Sequence, residues 1–327
     1  MSHLFWLLAS AVFAVTPEPL PVVTDMAYAA PARLVDIGHG RKINMLCVGH
    51  GSPTVIFDAG LGDQIRAWAT VQPAIAKITR ACSYDRAGLG FSSPSNREGT
   101  SDNAVEDLHH LLVAAAVKPP YVLVGHSLGG MYVRLYADKY LSEVAGMVLV
   151  DPVSEEQGRR YHTLDPTTLT ADTELVNYLH DQCIPAAAKG FERGSELMKK
   201  CVGEPDKHFS DALNVAVMAS FARPQRQRAV WSEWVNVFSL SSDQVRAAKR
   251  NYGEMPLIVL TRIPQPQGSP EIRDAKIRLW SELHDDLARL STKGVDRVVP
   301  DSGHYIQFDQ PVAVIDAVRE VLGIAAD

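Results

Sequence analysis

Ser127 stands at the centre of Gly125-His126-Ser127-Leu128-Gly129-Gly130, a G-x-S-x-G spacing set directly after the apolar run Tyr121-Val122-Leu123-Val124. A helical apolar pattern follows at Met131, Leu135 and Ala137. The bare spacing arises by chance in many chains; the strand before it and the helix after it give it chemical meaning. On a strand–turn–helix elbow the central residue has a strained backbone, and glycine on either side lets neighbouring chain pass close. The turn exposes the hydroxyl at the C-terminal edge of a sheet and aims the next helix N-terminus at it. Ser127 is thus the candidate nucleophile, against the plainer reading of an idle serine in a glycine-rich turn.

A serine hydroxyl needs a base. Of the eleven histidines, His304 has the best setting, in Val298-Val299-Pro300-Asp301-Ser302-Gly303-His304-Tyr305-Ile306. A strand over Val295–Val299 leads into the loop that carries it. A helix then starts near Asp309-Gln310-Pro311, with apolar spacing at Val314, Val318 and Val321-Leu322. A base on such a loop meets the serine with one ring nitrogen and a carboxylate with the other. His109 and His110 read as solvated surface residues, and His126 as a residue that packs or hydrogen-bonds at the elbow.

These side chains need a scaffold, and the patterning supplies one. Apolar runs alternate with helical patterns, which predicts an α/β fold with a mostly parallel sheet. Leading strands are expected near Arg33–Ile37 and Lys42–Val48. Helices are expected near Ala67–Ile78, Asp102–Ala116, Leu128–Tyr140 and Ala275–Leu290. No internal repeat or low-complexity segment stands out.

From about Leu34 to Leu322 the chain resembles the α/β-hydrolase superfamily. The segment Thr54-Val55-Ile56-Phe57-Asp58-Ala59-Gly60-Leu61-Gly62 resembles the strand-three exit that carries the oxyanion loop. Many relatives have His-Gly where this chain has Ala59-Gly60; the departure bears on loop anchoring and leaves the backbone donor in place. Cys82-Ser83-Tyr84-Asp85-Arg86-Ala87-Gly88-Leu89-Gly90-Phe91-Ser92 resembles the strand-four exit, with Asp85 and Arg86 expected as a structural pair beside the site. The resemblance implies a mostly parallel eight-stranded sheet with helices on both faces and a helical cap inserted after strand six. It also implies the backbone N–H groups of Leu61 and Leu128 as oxyanion donors.

The acid should fall between serine and histidine in chain order. Its usual place in the family follows strand seven, here Met255-Pro256-Leu257-Ile258-Val259-Leu260-Thr261. No carboxylate occurs from there through Pro270; the next are Glu271 and Asp274. Strand six instead ends Val148-Leu149-Val150-Asp151-Pro152. Neighbouring strand tips of a parallel sheet face one edge, so Asp151 can reach the same histidine, an arrangement similar to that of haloalkane dehalogenases. Glu271 and Asp274 are the alternatives. In the plainer reading Asp151 is only a strand-exit residue, since Asp-Pro commonly marks such a turn.

This divides the chain into a signal peptide and linker (1–30), a core (31–152 and 253–327) and a cap (153–252). In the cap, Trp231, Trp234, Val235 and Phe238 fall at helical spacing and are expected to dock it on the core. The patch Arg223-Pro224-Gln225-Arg226-Gln227-Arg228 is expected to be a solvated face. The N-terminal block Leu4–Val15 is too short to span a bilayer comfortably. With small residues at Val12-Phe13-Ala14 and Ala27-Tyr28-Ala29 it reads as a secretory signal peptide, although no Lys or Arg precedes it. An uncleaved membrane-associated helix is the alternative; the first reading predicts an exported protein with no stable membrane span in its mature form.

The 327 residues, 46% hydrophobic, suffice for one large core plus an insertion. A net charge of −6 without like-charge runs argues against a nucleic-acid partner. Four cysteines fit an exported chain. Locality favours Cys183–Cys201 and strand order favours Cys47–Cys82, with a pair of free buried thiols as the alternative for the latter. No C-x-x-C or H-E-x-x-H occurs, so no metal site or cofactor is expected. The implied chemistry is hydrolysis of a small carboxylic ester or related acyl bond through a serine ester, with Asp151 orienting His304. A slow or non-catalytic small-ligand receptor on the same fold is the alternative.

Overall fold

The computed structural model describes residues 22–249 and 251–324. The apolar block Leu4–Val15 lies outside them. Eight strands form one sheet: β1 (Arg33–Asp36), β2 (Lys42–Val48), β3 (Thr54–Asp58), β4 (Ala81–Tyr84), β5 (Tyr121–His126), β6 (Val144–Val150), β7 (Leu257–Arg262) and β8 (Gly294–Val299). Their order is β1-β2-β4-β3-β5-β6-β7-β8. The β1–β2 and β2–β4 pairs are antiparallel, and every later pair is parallel. Strands β3 to β7 read as continuous apolar runs because helices cover both sheet faces. In β5, Leu123 joins the cluster on one face while Val122 and Val124 join the cluster on the other. In β3, Ile56 and the pair Val55 and Phe57 divide the same way.

The strand order places the site. From β3 the chain moves outward to β4, then returns to lay β5 against the other side of β3. The carboxyl ends of β3 and β5 therefore splay apart at a topological switch point, where an open α/β sheet forms a crevice. The chains leaving β3, β5, β6, β7 and β8 all reach the same edge.

Two expected helices differ in their bounds. The Ala67–Ile78 pattern is split into a 3-10 turn, Ile65–Trp68, and a short helix, Gln72–Ile75, with Pro73 in its first turn. The helix expected from Ala275 begins at Pro270, because the Ser269 hydroxyl caps the Ile272 amide and proline suits a first turn. Helix Leu128–Lys139 and helix Ser101–Ala114, capped by Thr100, lie close to expectation.

Between β6 and β7 run helices Gln157–Leu164, Thr167–Tyr178, Ile184–Lys189, Glu196–Val202, Asp211–Phe221, Pro224–Val237 and Leu240–Ala248. The last packs Val245 into the core cluster beneath β5 and β6. Disulfides join Cys47 to Cys82 across the β2–β4 pair and Cys183 to Cys201 within the insertion. Residues 22–32, before β1, are not free chain. Val23 donates to the His208 carbonyl and accepts from the Ser210 amide, and Tyr28 is buried against the helix Asp211–Phe221 side of the insertion. Among the described residues no helix is long and apolar enough to cross a membrane.

Candidate active site

Ser127 sits between β5 and helix Leu128–Lys139 with φ 52° and ψ −120°. A serine held at positive φ is uncommon and marks a strained turn. The strain is fixed from three sides. The Ser127 amide donates to the Val150 carbonyl at 3.1 Å, its carbonyl accepts from Val153 at 3.0 Å, and the flanking backbones crowd together. A Cβ at Gly129 would lie 2.4 Å from the Asp58 carbonyl oxygen, so only glycine lets β3 pass.

His304 lies on the loop after β8 and Asp151 at the tip of β6, itself at φ 43°. The His304 Nδ1–H donates to Asp151 Oδ2 at 2.6 Å. Asp151 is fully buried, whereas the His304 side chain is 37% exposed. Burial alone would push the Asp151 carboxyl up; the bond and charge of His304, with the charge of Arg262, overcome it and hold the group below the usual carboxylate range. Glu271 and Asp274 lie on the exposed side of helix Pro270–Ala288. His126 donates from Nε2 to the His304 carbonyl at 2.9 Å, which steadies the loop. Burial holds its pKa down to about 3, with His304 adding to the effect, so it is a neutral strut.

The loop after β3 lies against the elbow: a Cβ at Gly60 would come within 3.3 Å of Ser127 Cβ. Its anchor is Arg86, whose Nη1 donates to Asp58 Oδ1 and the Ala59 carbonyl and whose Nη2 donates to the Gly60 carbonyl. Glu233, on helix Pro224–Val237 of the insertion between β6 and β7, accepts from Arg86 Nε at 2.7 Å and from the Gly62 amide at 2.7 Å. The amide of Leu61 is thus bracketed by two residues whose backbone groups are tied down. Arg86 and Asp85 do not pair as expected. Asp85 instead accepts from Asn44 Nδ2 and from the Ile65 and Phe91 amides, shaping the adjoining loops.

The arginine patch is also not a uniformly solvated face. Arg228 is exposed, but Arg223 donates to the Gly90 carbonyl and lies over Phe91. Arg226 turns inward, stacks 4.2 Å over Phe221 and donates to the Gly62 carbonyl; burial lowers its pKa to about 10. A helix laid on the core buries whatever faces the core, and its docking face here is Val230, Glu233 and Val237. Trp234 and Phe238 pack beside that face, whereas Val235 is 39% exposed and Trp231 meets His180. Beyond the Arg86–Glu233 pair lies a cavity of about 530 Å³ lined by Tyr84, Tyr132, Ile184 and Trp231 among others. Among the described residues no group of three or more His, Cys, Asp or Glu is placed to hold a metal ion.

The sheet order, the elbow and the histidine loop together define a known class. The profile of the alpha/beta hydrolase family matches residues 45–317, and the chain belongs to that family. It is 26% identical over 273 residues to the uncharacterized protein YqjL of Bacillus subtilis (strain 168), covering 84% of this chain and 85% of that protein. It is 26% identical over 300 residues to "Probable transporter efuK" of Hormonema carpetanum, covering 88% of this chain and 42% of that longer protein. Among solved structures it is similar to a thermophilic esterase from Thermogutta terrifontis, with a TM-score of 0.59 and 16% identity over 90% of this chain and 98% of that one.

Proposed function

We propose that this protein is a serine hydrolase that cleaves a small carboxylic ester, with Ser127 as nucleophile, His304 as base and Asp151 as acid. The observation that carries it is the 2.6 Å bond from His304 Nδ1 to a buried Asp151, on strand tips beside a strained Ser127 elbow. Donation from Nδ1 leaves the Nε2 lone pair to take the serine proton. Ser127 then attacks the ester carbonyl. The Leu61 and Leu128 amides receive the charge on the tetrahedral oxygen, the first held by Arg86 and Glu233 and the second at a helix N-terminus. His304 protonates the leaving alcohol, an ester to Ser127 remains, and water activated by the same histidine releases the acid. Asp151 keeps the tautomer and stabilises the imidazolium throughout. A serine at the elbow suits acyl chemistry, because opening an epoxide or displacing a halide in this fold relies on a carboxylate there.

Turnover of short p-nitrophenyl esters, together with labelling by a fluorophosphonate, tests it. Ser127→Ala should stay folded, take no label and lose ~10⁴–10⁶ in kcat. Stoichiometric labelling of that variant, or undiminished turnover, would remove Ser127 from the reaction.

A further inference from the structure

Where the family usually carries its acid, after β7, this chain carries an arginine. Arg262 is the last residue of β7, beside the tip of β6. It holds Asp151 twice. Its amide donates to Oδ1 at 3.2 Å, and its side-chain Nε donates to Oδ2 at 2.7 Å. Oδ2 is also the oxygen that accepts from His304 Nδ1 at 2.6 Å. One carboxylate oxygen therefore serves two donors, one of them a permanent cation. The guanidinium is itself positioned, lying 5.2 Å from the Trp280 ring centre on helix Pro270–Ala288. Among the described residues Asp151 is the one carboxylate within ion-pair distance of Arg262.

We propose that Arg262 is a positioning residue: by sharing Asp151 Oδ2 with His304 it aims the carboxylate and weakens its pull on the imidazole proton. The proposal rests on the serine-hydrolase reading above. The physical argument is competition. A carboxylate oxygen that already donates density to a guanidinium is a weaker acceptor for a second donor, and a cation beside an imidazole opposes its protonation.

The other groups around the pair leave Arg262 as the fixed charge in contact with it. From the elbow comes His126, neutral through burial. From helix Pro270–Ala288 comes His284, which donates Nε2–H to the Pro152 carbonyl and is also held neutral by burial. From the histidine loop comes the Tyr305 ring, 5.7 Å from the His304 ring. From the cap comes Tyr161, whose hydroxyl donates to the Lys276 carbonyl; Lys276 itself pairs with Asp165. Asp296 stands further off behind Thr261, and Arg66 acts on the far side of His126. An oxygen shared this way also explains how an acid can sit at β6 and still be aimed. The backbone amide of β7 and the side chain of the same residue grip both of its oxygens.

The test is the pH profile of kcat/KM on a p-nitrophenyl ester for the full chain and for Arg262→Gln, Arg262→Met and Arg262→Lys. Alongside it, proton NMR follows the low-field imidazole proton shared by His304 and Asp151. In the Gln and Met variants the acidic limb should rise by about one pH unit, and the resonance of the shared proton should move from its wild-type position. At a pH one unit below the wild-type limb, that is close to a tenfold further loss relative to plateau. Arg262→Lys keeps the charge and should lie closer to wild type than either. Limbs that coincide within about 0.3 unit, with rates lowered equally at every pH, would overturn the proposal and leave a structural ion pair. Loss of the fold in both neutral variants would do the same. Fluorophosphonate labelling of the wild type separates the two readings. Label on Ser127 with unshifted limbs sinks the Arg262 role alone, and absence of label on Ser127 sinks the serine hydrolase itself.

Discussion

Replacing Glu233 with alanine should damage both stability and turnover, although the residue lies on a cap helix and reacts with nothing. The side chain accepts from Arg86 Nε at 2.7 Å, from Arg86 Nη2 at 3.0 Å and from the Gly62 amide at 2.7 Å. Arg86 and Glu233 are 6% and 5% exposed, so solvent cannot replace the lost partner. Stranding one member of a buried pair costs about 3–5 kcal/mol. Arg86 keeps Asp58 at 2.8 Å, so the low end applies, about 3 kcal/mol. In a chain of this size that lowers Tm by roughly 4–5 °C. The effect on rate comes through the loop. Without Glu233 the Gly62 amide has no fixed acceptor, and the adjacent Leu61 amide loses its alignment. Complete loss of one oxyanion donor costs ~10²–10³ in kcat, which bounds the effect from above. Glu233→Gln retains an acceptor for Gly62 and should fall between alanine and wild type. Differential scanning calorimetry and steady-state hydrolysis measure the two effects, with KM expected to change less than kcat, since the donor acts mainly in the transition state. An alanine variant with wild-type Tm and a kcat within threefold of wild type would refute the anchoring argument.

Two further outcomes follow from the site. Asp151→Asn should keep the fold and cut kcat by up to ~10⁴, whereas Asp274→Asn and Glu271→Gln should each change it less than about tenfold; the reverse ranking, in kinetics on one ester, would return the acid to the chain after β7. Burial holds His284 neutral down to a pKa of about 4, so the unfolded chain binds a proton there below about pH 6.5 that the fold refuses, and stability is lost as pH falls through that window. Urea unfolding at several pH values should therefore show His284→Asn losing stability less steeply than wild type between pH 6.5 and 4.5, by up to ~1.4 kcal/mol per pH unit; parallel curves would count against a neutral His284.

The elbow could be read from the chain because its constraint is local and steric: a strand, a strained residue and two crowded glycines are contiguous. His304 was legible for a similar reason, since a loop between an apolar strand and a helix needs no partner to be recognised. The placement of Asp151 against His304 required one long-range inference, that parallel strand tips share an edge, and geometry of that kind survives translation from sequence to space. The roles of Glu233 and Arg226 did not. Glu233 meets Arg86 across 147 positions, and no local spacing around it names that partner. Arg226 shares a run with the exposed Arg228, and nothing in the local spacing says which arginine turns inward. Arg262 was visible as the residue standing where a carboxylate was missing, but its grip on Asp151 depends on the β6–β7 register. The split of the Ala67–Ile78 pattern reflects a stretch buried by neighbours rather than ordered by its own periodicity.

The strap before β1 changes what kind of object the insertion between β6 and β7 is. A polypeptide inserted between two strands is attached at its two ends and can swing about them as a flap. Here residues 22–32 run from a backbone pairing with Phe209 on the insertion, past the buried Tyr28, to the Ala32 amide bonded to Asn44 of the sheet. That adds to the bonds Glu233 and Arg223 already make to Arg86 and Gly90, so the insertion is braced to the core away from its two ends. Fusion partners belong upstream of Val22, because a chain trimmed back to Ala29 would give up the pairing of Val23 with the insertion.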